Sequence, residues 1–113
     1  MIGGTSLLVG FIQENRAQVV LNEIQVGYAT LILRGAIHFV QHLGCTPSVQ
    51  INAYNNADPG LLTLGLNMFR CPDGVPSTTF GQTEDFIMNS KRTISAYPLD
   101  VNEASRTKCG LPI

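Results

Sequence analysis

The side chains best suited to chemistry in this chain are its two histidines, His38 and His42. An imidazole can ligate a transition metal or carry a proton near neutral pH, so what the pair can do depends on how far apart the chain holds them. Both lie in an apolar stretch, Ala36 to Leu43, that alternates with period two. As a strand it puts Ala36, His38, Val40 and His42 on one face and Ile37, Phe39, Gln41 and Leu43 on the other. Two residues four apart in a strand are separated by roughly 13 Å, whereas each ligand of one ion lies about 2 Å from it. His38 and His42 therefore cannot bind the same ion. Without further context a lone histidine in an apolar strand is more often a hydrogen-bonded core residue than a ligand, because catalytic metal sites normally draw at least three ligands from the protein. His42 reads as a solvated rim residue, and Glu14, Glu23, Glu84 and Glu103 fall at turns, strand ends or caps.

Other catalytic patterns are missing. The Gly3-Gly4 pair precedes a strand instead of a helix, and no G-x-G-x-x-G spacing follows it. Neither a G-x-S-x-G elbow nor a C-x-x-C pair occurs. The 113 residues, 44% of them hydrophobic, carry a net charge of −1. That balance describes one globular domain, too weakly charged for a nucleic-acid partner. No run approaches the roughly eighteen apolar residues of a membrane helix, and no polybasic block suits a membrane surface.

The elements that must position His38 read as short strands. Ser6 to Gln13 is an apolar strand, not a secretion signal, since no cationic start precedes it and no small-x-small cleavage pattern follows. It turns at Glu14-Asn15-Arg16 into Ala17 to Ile24. From Val26-Gly27 the chain re-enters a strand, crosses a turn at Arg34-Gly35 and runs through His38 to Gly44. Ser48 to Asn55 and Leu61 to Met68 read as two more strands about the Asp58-Pro59-Gly60 turn. Six strands at this spacing predict a sandwich or barrel. Beyond Phe69 the pattern changes. Cys71 to Pro76 reads as loop, and Thr83-Glu84-Asp85 as a capped helix start, with Phe86, Ile87, Ser90 and Ile94 on one face and Pro98 as the stop. Asp100 and Glu103 have the spacing of a capping box, and Gly110 suits the end of that second helix.

The string from Gly27 to Gly44, GYATLILRGAIHFVQHLG, resembles the second cupin motif of germin-like proteins and spherulins, approximately G-D-x-x-x-x-P-x-G-x-x-H-x-x-x-N-x-G. Gly27, Gly35, His38 and Gly44 fall on motif positions, and the histidine is a manganese ligand in that family. Thr46 to Val49, Asn55 to Gly60, Asn67-Met68-Phe69 and the closing Cys109-Gly110-Leu111 extend the resemblance over nearly the whole chain. Tyr28, Leu33 and His42 stand where the motif has aspartate, proline and asparagine. The family's first motif supplies two further histidines and a glutamate, and only its closing glycine, most naturally Gly4, is matched.

The resemblance implies a mainly β fold: a cupin-type jelly roll, here a partial barrel over residues 1–70, then a loop over 71–82 and a C-terminal helical pair over 83–113. It implies that the chain begins inside the barrel and carries one of four manganese ligands, His38. Such relatives include oxalate-oxidising and superoxide-dismutating enzymes, and others with storage or structural roles; the chain alone is expected to be inactive. Secretion of the intact form and homo-oligomer assembly through the C-terminal helices are implied as well. The alternative is a structural or oligomerising module without metal. Three cysteines, Cys45, Cys71 and Cys109, allow at most one intramolecular disulfide and leave one thiol over. Relatives tend to carry two cysteines in the tail, and Ser105 stands about where the second would be. Cys45 with Cys109 is one candidate pair, and three reduced thiols are the alternative.

Overall fold

The computed structural model describes residues 6–95 and 101–112. The chain divides into two compact units, one of Met1–Tyr54 with Val101–Ile113 and one of Asn55–Asp100. Among the described residues the first contains a three-stranded antiparallel sheet and a helix, the second three helices. This is a mixed α/β arrangement in place of the expected mainly β body.

In the first unit, β1 (Leu7–Ile12) is central, flanked by β2 (Val20–Ile24) and β3 (Ile37–His42). The hairpin between β1 and β2 turns where the sequence indicates. Ala17 N–H donates to the Glu14 carbonyl at 3.1 Å, and Arg16 takes a left-handed conformation. The register pairs Leu7 with Ile24 and His42, Val9 with Asn22 and Val40, and Phe11 with Val20 and His38. Directly opposed residues share a face, so these nine side chains form one side of the sheet. Leu7 and Val9, 4% and 2% exposed, are its buried centre.

The opposite face is built around Gly10. Its cross-strand neighbours are Leu21 and Phe39, and the Phe39 ring lies over it. A Cβ at this position would run into Phe39 Cε1 and sit 3.0 Å from Leu21 Cδ2. Glycine in the middle of a strand forgoes a side chain to pack; here the space it leaves is filled by an aromatic ring from the next strand.

Three of the six expected strands do not form. Between β2 and β3 the chain makes two turns, closed by Tyr28 N–H to the Gln25 carbonyl at 3.0 Å and by Ala36 N–H to the Leu33 carbonyl at 3.1 Å. Gly27 and Gly35 occupy their third positions with φ of 85° and 78°, a conformation that costs an L side chain dearly. The residues between the turns keep an apolar pattern but join no ladder, and Leu31 is 85% exposed. Ser48 to Asn55 forms only an isolated bridge at Val49, and Ile51 is 73% exposed. Alternating apolar residues favour a strand only when a neighbouring backbone supplies the hydrogen bonds, and among the described residues neither segment pairs over more than the single bridge at Val49.

The third failure is a change of type. In Leu61 to Met68, the last five residues are α1 (Leu64–Met68), with Asn67 N–H bonded to the Thr63 carbonyl and Phe69 N–H to the Gly65 carbonyl. A short apolar run does not separate a buried strand from a helix by periodicity. The expected loop over 71–82 is corrected similarly, because it contains α2 (Gly74–Phe80). Gly74 and Pro76 read as breakers, yet both sit in the first helical turn, where a missing N–H leaves no bond unmade. Pro76 is fully buried there.

The second unit closes around α2 and α3 (Glu84–Lys91). Ile87 of α3 is completely buried with Pro76, the rings of Phe69 and Phe80 stack 5.8 Å apart, and Lys91 pairs with Asp73. Thr83 caps α3 as expected: its hydroxyl accepts from Phe86 N–H at 3.2 Å, with Glu84 and Asp85 in the first turn. The helix ends at Lys91, earlier than expected, and Pro98 lies outside the described residues. In the first unit α4 (Glu103–Cys109) is capped by Asn102, whose side chain accepts from Ser105 N–H at 2.8 Å. The expected box with Asp100 is thus replaced by a cap two residues later, and Asp100 itself lies outside the described residues. Gly110 ends the helix in a left-handed conformation.

Two substitutions test this packing. Gly10→Val forces the Phe39 ring from its seat and is expected to cost about 1–3 kcal/mol in urea unfolding. In a Phe39→Ala background most of that cost should vanish, and equal losses in both backgrounds would mean that the ring and the glycine are not coupled. Thr83→Ala should lower stability by about 1 kcal/mol through loss of the cap, measured in the same way.

Candidate functional site

His38 and His42 lie on the sheet face that holds Leu7 and Val9, with Val40 between them. His42, opposite Leu7, is half-buried, whereas His38, opposite Phe11 near the far end of the ladder, is exposed. His38 Nδ1 is 3.1 Å from the carbonyl oxygen of Ala36. A carbonyl only accepts, so in this bond Nδ1 carries the proton, and in the neutral ring Nε2 then keeps its lone pair. Metal-binding histidines are commonly held this way, the second nitrogen donating to a carbonyl and fixing the tautomer.

An open cleft of about 430 Å³ adjoins the same end of the sheet, lined by Phe11, Asn22, Ala29, Thr30 and Leu31. Asn22 Nδ2 donates to Thr30 Oγ1 at 3.0 Å, which ties the segment between the two glycine turns to β2. Phe11 is thus both a wall of the cleft and the cross-strand neighbour of His38. Sequence periodicity gives the histidine face, but it does not reveal this cleft, since the segment lining it reads as a strand.

The acidic residues are scattered. Glu14 is in the β1–β2 turn, Glu23 is opposite Leu8 on the other face of the sheet, and Glu84 and Glu103 are in the first turns of α3 and α4. Among the described residues no three His, Cys, Asp or Glu side chains gather to hold a metal ion. The described residues do not by themselves fit a manganese centre, since no group of three such ligands forms around His38 or elsewhere among them. No described helix is long and apolar enough to cross a membrane.

The cysteines pair. Cys45, just beyond β3, and Cys109, the last residue of α4, form a disulfide with Cα atoms 5.4 Å apart and a sequence separation of 64. Cys71 is a half-buried free thiol near the Asn67 carbonyl.

A small antiparallel sheet with a histidine strand, followed by short helices, is the class of protein these features define. Its similarity is to spherulins: the chain is 38% identical to Spherulin-1A of Physarum polycephalum over 66 residues and 37% identical to Spherulin-1B over 70, stretches of 58% and 62% of this chain. Those matches take in 27% and 28% of the relatives, so the chain spans about a quarter of the length of the curated relatives it matches. The similarity supports the spherulin part of the resemblance read from the Gly27–Gly44 string. No protein-family model matches the chain, and no solved structure does.

Since the His38 ring is exposed, His38→Ala should change stability by no more than about 0.5 kcal/mol. Val9→Ala on the same face should cost about 2 kcal/mol. Denaturant midpoints of the two variants compare them directly, and a large loss at His38 would make that side chain a packing residue.

Proposed function

We propose that this chain is part of a spherulation-related, spherulin-like protein of cupin type, whose sheet belongs to a jelly roll and whose His38 is one ligand of a manganese ion. The observation that carries the reading is the Nδ1 bond from His38 to the Ala36 carbonyl, which in the neutral ring leaves Nε2 with its lone pair, on a strand whose Gly35, His38 and Gly44 resemble the family's second motif. One imidazole does not satisfy manganese, which favours several oxygen and nitrogen ligands in near-octahedral arrangement. The remaining ligands come from residues that these 113 do not include. When bound, the ion would supply the Lewis-acid and redox chemistry of such sites; the part of this chain is to present one nitrogen in a fixed tautomer. In this reading the intact protein is secreted and assembles into a homo-oligomer through its C-terminal helices.

A structural or oligomerising role without metal is the second reading. Leu21, Ile37 and Phe39, all exposed on the Gly10 face of the sheet, favour it, because a sheet apolar on both faces gains by being covered.

Metal content separates the two. A version of the protein extended to the length of its relatives should hold one manganese per subunit after gel filtration. His38→Ala should abolish stoichiometric manganese, and His42→Ala should leave it nearly unchanged. Manganese retained without His38 removes the ligand assignment, and an extended protein that takes up none leaves the structural reading.

A further inference from the structure

The end of β3 and the last helix are joined in an unusual balance of covalent and non-covalent links. α4 has no buried residue. Its backbone ends are satisfied within its own segment: Asn102 caps the start, Gly110 closes the end, and the Arg106 guanidinium donates to the carbonyls of Val101 and Pro112 at 3.2 and 2.7 Å. The described links from this piece to the end of β3 are the Cys45–Cys109 disulfide and, beside it, the bond from Lys108 Nζ to the Leu43 carbonyl at 2.6 Å. Cys45 is exposed and Cys109 half-exposed, so a small thiol can reach the bond. The sheet draws on different interactions, the two ladders of β1 and the burial of Leu7 and Val9.

We propose that the Cys45–Cys109 disulfide is a redox latch, which a dithiol opens under native conditions to release α4 from the end of β3 while the sheet remains folded. One thiolate of the dithiol attacks Cys45 Sγ, the S–S bond breaks, and Cys109 leaves as a thiolate that takes up a proton. The second thiol then displaces Cys45 from the mixed disulfide, which yields a second protein thiol and the oxidised, cyclic dithiol. Two electrons and two protons pass to the protein. Once released, α4 loses its anchor, and a helix of seven residues is not stable alone in water. The latch is closed in an oxidising compartment and open in a reducing one.

The test uses the whole chain with Cys71→Ser, which prevents exchange with the free thiol, with and without dithiothreitol in native buffer. Tryptic cleavage after Arg106 and Lys108, read by mass spectrometry, should accelerate at least tenfold on reduction. Amide hydrogen exchange across β1 should stay within twofold of the oxidised protein, and Cys45 and Cys109 should both become alkylated. Cys45→Ser should reproduce fast cleavage without any dithiol, whereas Lys108→Met, still oxidised, should cleave slowly at Arg106. Three results would overturn the latch: β1 losing protection together with α4, cleavage unchanged after both thiols have been alkylated, or a disulfide that dithiothreitol does not reduce until the chain is denatured.

Discussion

A strand persists only where its amides and carbonyls find partners, and among the described residues β1 alone finds them on both sides. Everything arranged about the histidines depends on that double ladder. The pairing of β1 with β3 decides that His38 and His42 share a side with Leu7 and Val9, because a slip of one residue would send both imidazoles to the opposite face. The pairing of β1 with β2 brings Asn22 to the same side, where it holds Thr30 and gives the cleft its wall. Gly10 serves the same constraint from the other side, since it lets the Phe39 ring occupy the space where a Cβ of the central strand would stand.

What could be read from sequence follows from this dependence on partners. Local signals were legible where they are satisfied locally. The Glu14–Ala17 turn, the Arg34-Gly35 turn, the Thr83 cap and the Gly110 stop each need only a few neighbouring residues, and each is present. Strands are non-local. The pattern from Ala36 to Leu43 became β3 because β1 runs beside it, whereas the similar patterns at 26–33 and 48–55 stayed outside any ladder. α2 was missed for a subtler reason. Gly74 and Pro76 break a helix interior and are harmless in its first turn, so their meaning depends on where the helix begins.

The candidate site divides along the same line. The face and spacing of His38 and His42 follow from period two alone. The bond from His38 to Ala36 could not be foreseen, because it depends on how the chain leaves the Gly35 turn and enters β3. Nor could the cleft, whose walls come from β1, from β2 and from the segment between the turns. The disulfide stood among the open possibilities, and it took the fold to bring residues 45 and 109 together.

The apolar content of the chain has the last bearing on the site. With 44% hydrophobic residues, a chain of this size has material for a sizeable core, yet among the described residues the buried hydrophobic side chains are Leu7, Val9, Ala36 and Ile87. Leu21, Ile37 and Phe39 remain about half exposed on one face, and completing the burial of all three together would contribute on the order of 2–4 kcal/mol. That is more than the single neutral hydrogen bond at His38 contributes, which is about 1 kcal/mol. The energetic pull on this sheet therefore acts through its apolar face, and the imidazole follows. Ile37 and Phe39 flank His38 in β3, so covering that face would also hold the strand that carries the imidazole.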